Sequence, residues 1–144
     1  MGLKINNDIN PNFWKDKKVL ITGHTGFKGS WLSIWLKLMG ADVTGYSLLP
    51  TAKLSLFEVA KVKVGMKSVI GDIRDIKSVS KLIKKIKPEI VIHLAAQPLV
   101  RYSYKKPIDT YETNIMGTIY LLEACRKIKS VKVFLNVTTD KCYE

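Results

Sequence analysis

The sequence has few cysteines and no long apolar segment, and each shortage excludes a class of protein. Its two cysteines, Cys125 and Cys142, form neither a disulfide framework nor a metal-ligand spacing. We therefore expect free thiols in a reducing, cytoplasmic compartment and no metal site. No apolar run approaches the roughly 20 residues that span a bilayer, and the N-terminus lacks the apolar core of a signal peptide. The sequence thus predicts a protein without a membrane partner.

Acidic residues are also scarce, because 12 Asp and Glu face 24 Lys and Arg, which gives a formal net charge of +12. Only three of the basic residues are arginines, the residue type that most often reads guanine edges. Aromatic residues do not alternate with basic ones as they do in a stacking surface for bases. The lysines are spread along the chain, which favours a solvated surface and no nucleic-acid partner.

Strand-like and helix-like patterns alternate along the 144 residues, a length that suits one domain. Apolar runs predict strands at 17–22, 42–48, 67–72, 89–95 and 131–139. The helical period predicts helices over 27–39, from an Asp75 cap to Pro88, and over 108–129, while the segment before the last helix is predicted to be a loop. This alternation indicates an α/β fold with a doubly wound parallel sheet of the Rossmann type.

Two of the predicted helices carry apolar stripes. The first has the spacing of one face of an amphipathic helix, formed by Phe27, Trp31, Ile34, Trp35 and Leu38. The last helix has one apolar face that further apolar residues widen, so we expect it to need a second partner. This face comprises Tyr111, Ile115, Ile119 and Leu122, widened by Met116, Tyr120 and Leu121.

Three glycines follow the first predicted strand at three-residue intervals, in TGHTGFKGSWL from 22 to 32. We expect Gly23 to make the tight turn, Gly26 to let backbone N–H groups approach a pyrophosphate, and Gly29 to let helix and strand pack closely. The helix N-terminus adds its partial positive charge. Because the loop joins the strand and helix of a βαβ unit, it predicts a dinucleotide site rather than a plain glycine-rich turn. The predicted site also includes Thr25, Phe27 and Lys28.

The glycine spacing resembles the extended short-chain dehydrogenase/reductase family of nucleotide-sugar enzymes. The resemblance also rests on GD at 71–72, HLAAQ at 93–97, TNIMGT at 113–118 and NVTTDK at 136–141. Within the family, GHTGFKGSWL, GDIRD, AAQPLVRYSY and TTDKCY are most similar to the 4,6-dehydratases of CDP-glucose. The resemblance implies NAD as cofactor, a nucleotide sugar as substrate, with CDP-glucose favoured, and a homodimer or higher homo-oligomer.

The resemblance also implies roles for cofactor-binding residues. Asp72 would accept from the adenine amino group, with the backbone of Ile73 beside it. The alternative is that Asp72 and Asp75 only cap the next helix, but Asp75 is the better-placed cap, which leaves Asp72 freer to bind. The small side chains after the fourth strand would leave room for the nicotinamide ribose. The implied set beyond the glycine loop comprises Ser47, Asp72, Ile73, Ala95, Ala96, Gln97, Asn114 and Thr138.

Ser47 stands where an NAD site usually carries an acid, about 20 residues beyond the glycines. It can hydrogen-bond a ribose hydroxyl but cannot repel a 2′-phosphate, and Lys53 follows it in the sequence. The residues alone leave both NAD and NADP open and favour NAD, as the resemblance does. His24 and His93 are interpreted as structural, and His93 as a core histidine with satisfied hydrogen bonds.

The TTDK segment after the fifth predicted strand is implied to carry catalytic side chains, although a strand-end turn with a surface salt bridge is the alternative. Thr139 would hydrogen-bond the C4 hydroxyl, Asp140 would protonate the departing C6 hydroxyl, and Lys141 would take or assist the C5 proton. The implied reaction oxidises C4, eliminates water across C5 and C6, and returns the hydride to C6, with NAD as the temporary hydride store.

The family's Tyr-x-x-x-Lys pair is expected after the fifth strand, beyond Glu144. Tyr102 and Lys106 have this spacing but lie in the predicted loop, and Tyr143 has no matching lysine, so neither is interpreted as the pair. We expect residues 1–144 to be the N-terminal dinucleotide-binding portion, truncated after the fifth strand and lacking the sugar-binding segments. Such a chain should fold marginally, self-associate and leave CDP-glucose unchanged. Another nucleotide-sugar dehydratase or epimerase, or a non-catalytic NAD-binding module, are the alternatives.

Overall fold

Five parallel strands form one sheet in the order β3-β2-β1-β4-β5 in a computed structural model that describes residues 10–52 and 54–139. The chain places two strands on one side of β1 and then two on the other, which confirms the doubly wound α/β fold. All five predicted strands are present, and each is shorter than its predicted range, by one residue for the first two and by five for the last. They are β1 (Lys18–Thr22), β2 (Asp42–Ser47), β3 (Lys67–Ile70), β4 (Ile90–His93) and β5 (Val133–Asn136).

Helices connect the strands on both faces of the sheet, and two connections differ from prediction. The segment expected to be a loop before Pro107 contains a helix, α5. The single long helix expected over 108–129 is three consecutive segments, interrupted by a π-helix and ending at Arg126. The helices are α1 (Pro11–Trp14), α2 (Phe27–Leu38), α3 (Leu56–Val59), α4 (Ile76–Ile86), α5 (Val100–Lys105), α6 (Pro107–Tyr111), the π-helix (Glu112–Met116) and α7 (Gly117–Arg126).

The α2 helix buries its small-residue face and exposes its aromatic stripe. Gly29, Ser30, Ser33 and Leu36 are buried, whereas the predicted apolar face is 50–81% exposed at Phe27, Trp31, Trp35 and Leu38. The reason is the close approach of α2 to the strand-one loop. A Cβ added at Gly29 would lie 2.1 Å from the carbonyl oxygen of Gly23, so only a small residue fits at the start of this face, and Leu36 is buried further along it.

Two apolar cores lie on the two faces of the sheet. One packs Leu20, Val91 and Tyr46 against α4 and α7, through residues such as Ile83 and Leu121. The other packs Val19, Ile21, Val43 and Ile92 against Leu36 of α2. Asp75 caps α4 as predicted, because its side chain accepts from the backbone N–H groups of Lys77 and Ser78.

The α7 helix packs on α4 with one face and leaves another apolar face exposed. Gly117, Leu121, Ala124 and Cys125 are buried, while Ile115, Ile119 and Leu122 are 44–47% exposed. The exposed apolar face expected for this helix is therefore confirmed, except that Leu121 belongs to the core. β5 lies at the edge of the sheet, also as expected. Within the described ranges, no helix is long and apolar enough to cross a membrane.

Candidate active site at the carboxyl edge of the sheet

The loop after β1 is held between the ends of β2 and β4 by backbone contacts. Gly23 adopts φ +78°, a conformation that favours glycine, and its N–H donates to the carbonyl of Tyr46 at 2.9 Å. A Cβ at this position would lie 2.8 Å from the backbone nitrogen of Ala95. Gly23 therefore makes the tight turn that its position predicts, and a larger residue would collide with the loop after β4.

The next two glycines have different roles: Gly26 leaves space for a ligand, and Gly29 allows α2 to pack closely on the loop after β1. Gly26 is the N-cap residue of α2 and is exposed, and an added Cβ would meet only the carbonyl oxygen of Gly23, at 3.3 Å. The space above it opens onto the N-terminus of a 12-residue helix, whose unpaired N–H groups attract anions. Gly29 instead packs against the backbone of Gly23 and His24. This open, positively polarised cradle fits a dinucleotide pyrophosphate. Phe27 and Lys28 lie exposed in the first turn beside it.

Thr25 and Ser47 join the glycine loop to the end of β2. The Oγ1 of buried Thr25 lies 2.9 Å from the Oγ of Ser47 and 2.9 Å from the carbonyl oxygen of Leu48. Ser47 therefore lies at the carboxyl end of β2, beside the glycine loop, where the sequence predicts a ribose contact. That hydroxyl is already engaged by the protein.

Asp72 follows β3 and pairs with Arg74, so its carboxylate is not free as the cap argument suggested. Its two oxygens accept from the backbone N–H, Nε and Nη2 of Arg74. These hydrogen bonds hold the pKa of Asp72 below its ordinary value. The backbone carbonyl of Asp72 accepts from the Tyr46 hydroxyl at 2.9 Å, and the neighbouring Ile73 is buried, with its side chain beside Gly117. Asp72 and Ile73 are thus fixed beside the end of β2.

Arg74 extends this cluster to α5 and α6. Its Nη1 also pairs with Asp109, and the Tyr102 hydroxyl donates to the other Asp109 oxygen at 2.6 Å. Because this hydrogen bond to the Asp109 carboxylate stabilises the protonated phenol, the pKa of Tyr102 is raised. Tyr102 is helical, and not in a loop as predicted, and Lys106 is the C-cap of the same helix. The prediction that Tyr102 and Lys106 lie in a loop was wrong, but the hydrogen bond to Asp109 makes the Tyr102 hydroxyl a poor base.

His93 lies at the centre of a buried chain of hydrogen bonds at the ends of β1 and β4. Thr22 Oγ1 accepts from the backbone N–H groups of Leu94 and Ala95 at 3.2 Å, so its own proton goes to His93 Nδ1. On the other side, the Oγ1 of Thr118 donates to the Asn114 carbonyl at 2.7 Å. The remaining bond, 3.0 Å long, therefore has His93 Nε2–H as donor.

The hydrogen bonds assign His93 as the neutral Nε2–H tautomer, and burial supports this by lowering its pKa to about 4. The interpretation of His93 as a satisfied core histidine is confirmed. His24 is buried as well, and burial lowers its pKa to about 4. Its Nε2 lies 2.7 Å from Ser68 Oγ, and its ring covers Gly45, where an added Cβ would lie 2.2 Å from His24 Cγ.

The loop after β4 is tied to the π-helix by a reciprocal pair. The backbone N–H of Gln97 donates to Asn114 Oδ1 at 2.7 Å, and Asn114 Nδ2 donates to the Gln97 carbonyl at 3.1 Å. The Gln97 side chain is used as well, donating to Thr110 and accepting from the Leu99 N–H. Ala95 and Ala96 are the small residues between this pair and Gly23, where the sequence predicts room for a ribose.

The predicted site residues after β5 fall into two groups. Thr138 and Thr139 are exposed after β5, next to the end of β4 because His93 is the register partner of Asn136. Asp140, Lys141 and Tyr143 lie outside the described residues. Sequence reasoning missed Thr22, Arg74 and Thr118 as site-forming residues. Two of these residues carry a signal in the sequence. Thr22 is the last residue of β1, and Thr118 follows Asn114 by one helical turn.

Comparison with known proteins places these features in a wider group. The family model described as GDP-mannose 4,6 dehydratase matches residues 20–143. CDP-glucose 4,6-dehydratase from Salmonella typhimurium is 54% identical over 136 residues, which cover 94% of this chain and 38% of that protein. dTDP-D-glucose 4,6-dehydratase from Dictyostelium discoideum is 37% identical, covering 88% of this chain and 30% of that protein. The chain thus spans well under half the length of these relatives.

A solved structure shares the fold as well. The UDP-glucose-4-epimerase from Stenotrophomonas maltophila, crystallised with bound NAD and formylated UDP-arabinopyranose, superposes with a TM-score of 0.75 at 28% identity. The superposition covers 87% of this chain and 38% of that one. The same Rossmann-type arrangement therefore occurs in an NAD-binding nucleotide-sugar enzyme.

Proposed function

Because the chain belongs to the GDP-mannose 4,6-dehydratase family, within the extended short-chain dehydrogenase/reductases that its motifs resemble, we propose that it forms part of an NAD-dependent nucleotide-sugar 4,6-dehydratase. CDP-glucose is the proposed substrate, supported by the 54% identity to the Salmonella typhimurium enzyme. We also propose that residues 1–144 are the dinucleotide-binding domain and that the protein is cytoplasmic. The exposed apolar face of α7 supports a homodimer or higher homo-oligomer.

The glycine loop is the observation that carries this proposal. Gly23 and Gly29 are packed so tightly that any side chain would collide with backbone, whereas Gly26 faces open space at the helix N-terminus. Packing within the protein therefore does not require glycine at position 26. A bound pyrophosphate would account for this glycine, because the backbone N–H groups of the helix N-terminus can contact a pyrophosphate only where no side chain stands between them.

Other residues would complete the cofactor site. Ser47 would meet the adenosine ribose, Asp72 and Ile73 the adenine, and Ala95 and Ala96 would leave room for the nicotinamide ribose. Gln97 and Asn114 would hold that last loop in place through their reciprocal hydrogen bonds. When bound, NAD supplies hydride acceptance and return.

The segment after β5 would supply the proton chemistry. Thr139 would hydrogen-bond the C4 hydroxyl of the sugar. Asp140 would hold a proton for the departing C6 hydroxyl, and Lys141 would take or assist the C5 proton. The register of β5 beside β4 supports this placement, because carboxyl ends of parallel strands meet at one edge of the sheet.

Titration calorimetry with NAD tests the cofactor site. We expect the folded protein to bind NAD, Gly26→Val to abolish binding while its circular dichroism spectrum stays unchanged, and Gly26→Ala to weaken binding less. The larger side chain blocks the approach to the helix N-terminus, and the packing of Gly26 tolerates it. A folded wild-type protein that binds neither NAD nor NADP would contradict the proposal.

An epimerase of the same family is the second candidate, favoured by the fold match to the UDP-glucose-4-epimerase. Mass spectrometry of the product made from CDP-glucose by the whole protein separates the two, because dehydration removes one water and epimerisation leaves the mass unchanged. NAD binding without either change in any nucleotide sugar would instead indicate a non-catalytic module.

A further inference from the structure

The hydroxyl groups of Thr25 and Ser47 have a fixed order of donation. Thr25 Oγ1 is 2.9 Å from the carbonyl oxygen of Leu48, which can only accept, so the single hydroxyl proton of Thr25 is used there. The second contact of Thr25 Oγ1, 2.9 Å to Ser47 Oγ, then needs a proton from Ser47. Ser47 therefore donates to Thr25 and retains only lone pairs for anything else that approaches its oxygen.

The backbone around this pair holds the order in place. Thr25 is 8% exposed, so water competes poorly for its hydroxyl. The Gly23 N–H donates to the Tyr46 carbonyl, and the Gly71 N–H donates to the Ser47 carbonyl, each at 2.9 Å. These bonds fix the glycine loop on one side of Ser47 and the end of β3 on the other, so the two hydroxyls cannot drift apart.

We propose that Thr25 makes Ser47 an obligate hydrogen-bond acceptor and thereby selects the adenosine 2′-hydroxyl of NAD over the 2′-phosphate of NADP. This inference rests on the proposed NAD site. A ribose hydroxyl can donate to the lone pairs of Ser47. A phosphate at pH 7 presents acceptor oxygens and negative charge, so it would meet an acceptor with no proton to share. Ser47 thus performs the hydrogen-bonding task of the acid that usually ends this strand, and Thr25 is a positioning residue.

Arg74 strengthens the same preference by being unavailable. An arginine near the end of β2 could otherwise bind the 2′-phosphate. Its guanidinium is instead engaged by the carboxylates of Asp72 and Asp109, and these hydrogen bonds and charges raise its pKa further. The two carboxylates also make this corner of the site unfavourable for another anion.

The test compares Thr25→Val with Thr25→Ser by calorimetry with NAD and NADP. Valine removes the acceptor for the Ser47 proton, which is then free to turn toward a phosphate oxygen, while serine keeps the relay. We expect the ratio of the NADP to the NAD dissociation constant to fall about tenfold in Thr25→Val, the worth of one hydrogen bond to a charged group. Thr25→Ser should keep the wild-type ratio. Thr113→Val is the matched control, because Thr113 also donates to a backbone carbonyl, that of Asp109 at 2.8 Å.

A second measurement uses the wild-type protein and so does not depend on the folding of a variant. The NAD analogue that lacks the adenosine 2′-hydroxyl should bind about fivefold more weakly than NAD, because the Ser47 lone pairs lose their donor. Equal binding of the analogue and NAD, or an unchanged ratio in a folded Thr25→Val protein, would overturn the relay and leave the NAD site standing. Failure of the folded wild-type protein to bind either dinucleotide would overturn the proposed function together with the relay.

Discussion

An alanine at Gly29 would place one methyl group in the first turn of α2, against backbone that cannot move aside. The added Cβ would lie 2.1 Å from the carbonyl oxygen of Gly23, 2.8 Å from its carbonyl carbon and 2.8 Å from the Cα of His24. Ordinary contact begins near 3.4 Å, so α2 would have to move away from the β1 loop by more than 1 Å. That shift would loosen the packing of Leu36 and Ser33 on the sheet.

The expected cost is the difference between two effects. Overpacking a closed site costs about 1–3 kcal/mol, and more where only backbone is in the way. Alanine in place of glycine inside a helix returns up to about 1 kcal/mol. Because the three atoms nearest the new methyl group are all backbone, we expect an overpacking cost of about 3–4 kcal/mol, so that Gly29→Ala lowers the free energy of unfolding by about 2–3 kcal/mol.

Urea unfolding followed by circular dichroism measures this loss, and Gly26→Ala is its control. The same methyl group at Gly26 meets one atom at 3.3 Å, so the expected cost is about 1 kcal/mol or less, mostly from the weaker N-cap. If Gly29→Ala unfolds within about 0.5 kcal/mol of the wild-type protein, or no more easily than Gly26→Ala, the packing argument for the glycine spacing is refuted.

Two further predictions concern the buried histidines. Burial lowers the pKa of both His24 and His93 to about 4, below the unfolded value near 6.5, so the unfolded chain binds the extra protons as the pH falls. The contribution of each neutral histidine should therefore be fully present above about pH 7 and fall by about 2 kcal/mol per histidine between pH 7 and 5. Urea unfolding across that range measures the loss, and a flat profile would contradict it. Thr118→Val should cost about 1–2 kcal/mol in the same assay, because it removes the acceptor of the His93 Nε2–H and one donor to the Asn114 carbonyl. Thr118→Ser should restore most of this stability, and equal stability of the two variants would exclude the assigned hydrogen bond from His93 to Thr118.

The sheet and the glycine loop could be predicted because their signals are local. A parallel strand covered on both faces is a short apolar run, and every residue of β4 is buried. The positive φ of Gly23 and the closed space around Gly29 follow from the same three-residue spacing that marks the loop in the sequence. The demand on Gly29 comes from Gly23 and His24, a few residues earlier in the chain, whereas Gly23 is also confined by the distant loop after β4.

The buried face of α2 could not be predicted from its periodicity. An apolar stripe with helical spacing shows which residues share a face but not which face meets the sheet. In α2 the distance between helix and strand decides the matter, because Gly29, Ser30 and Ser33 permit a contact that Trp31 would prevent. Ser30 and Ser33 also satisfy their hydroxyls on the carbonyls of His24 and Gly29, so burying them costs little.

The helix α5 and the π-helix make contacts with residues in other elements of the fold. Tyr102 reaches Asp109, which Arg74 also holds from the end of β3. Asn114 in the π-helix reaches back to Gln97. Local helix propensity does not include such contacts between elements, so the sequence alone predicts a loop followed by one uninterrupted helix.

Two threonines give the carboxyl edge of the sheet its fixed polarity. Thr22 accepts from the backbone after β4 and sends its proton to His93, while Thr25 sends its proton to Leu48 and takes that of Ser47. In both cases a carbonyl or N–H group with only one possible role decides the direction of every later hydrogen bond. Because these directions are set by protein groups alone, the donors and acceptors that a dinucleotide would meet are arranged before it arrives, and binding need not reorganise them.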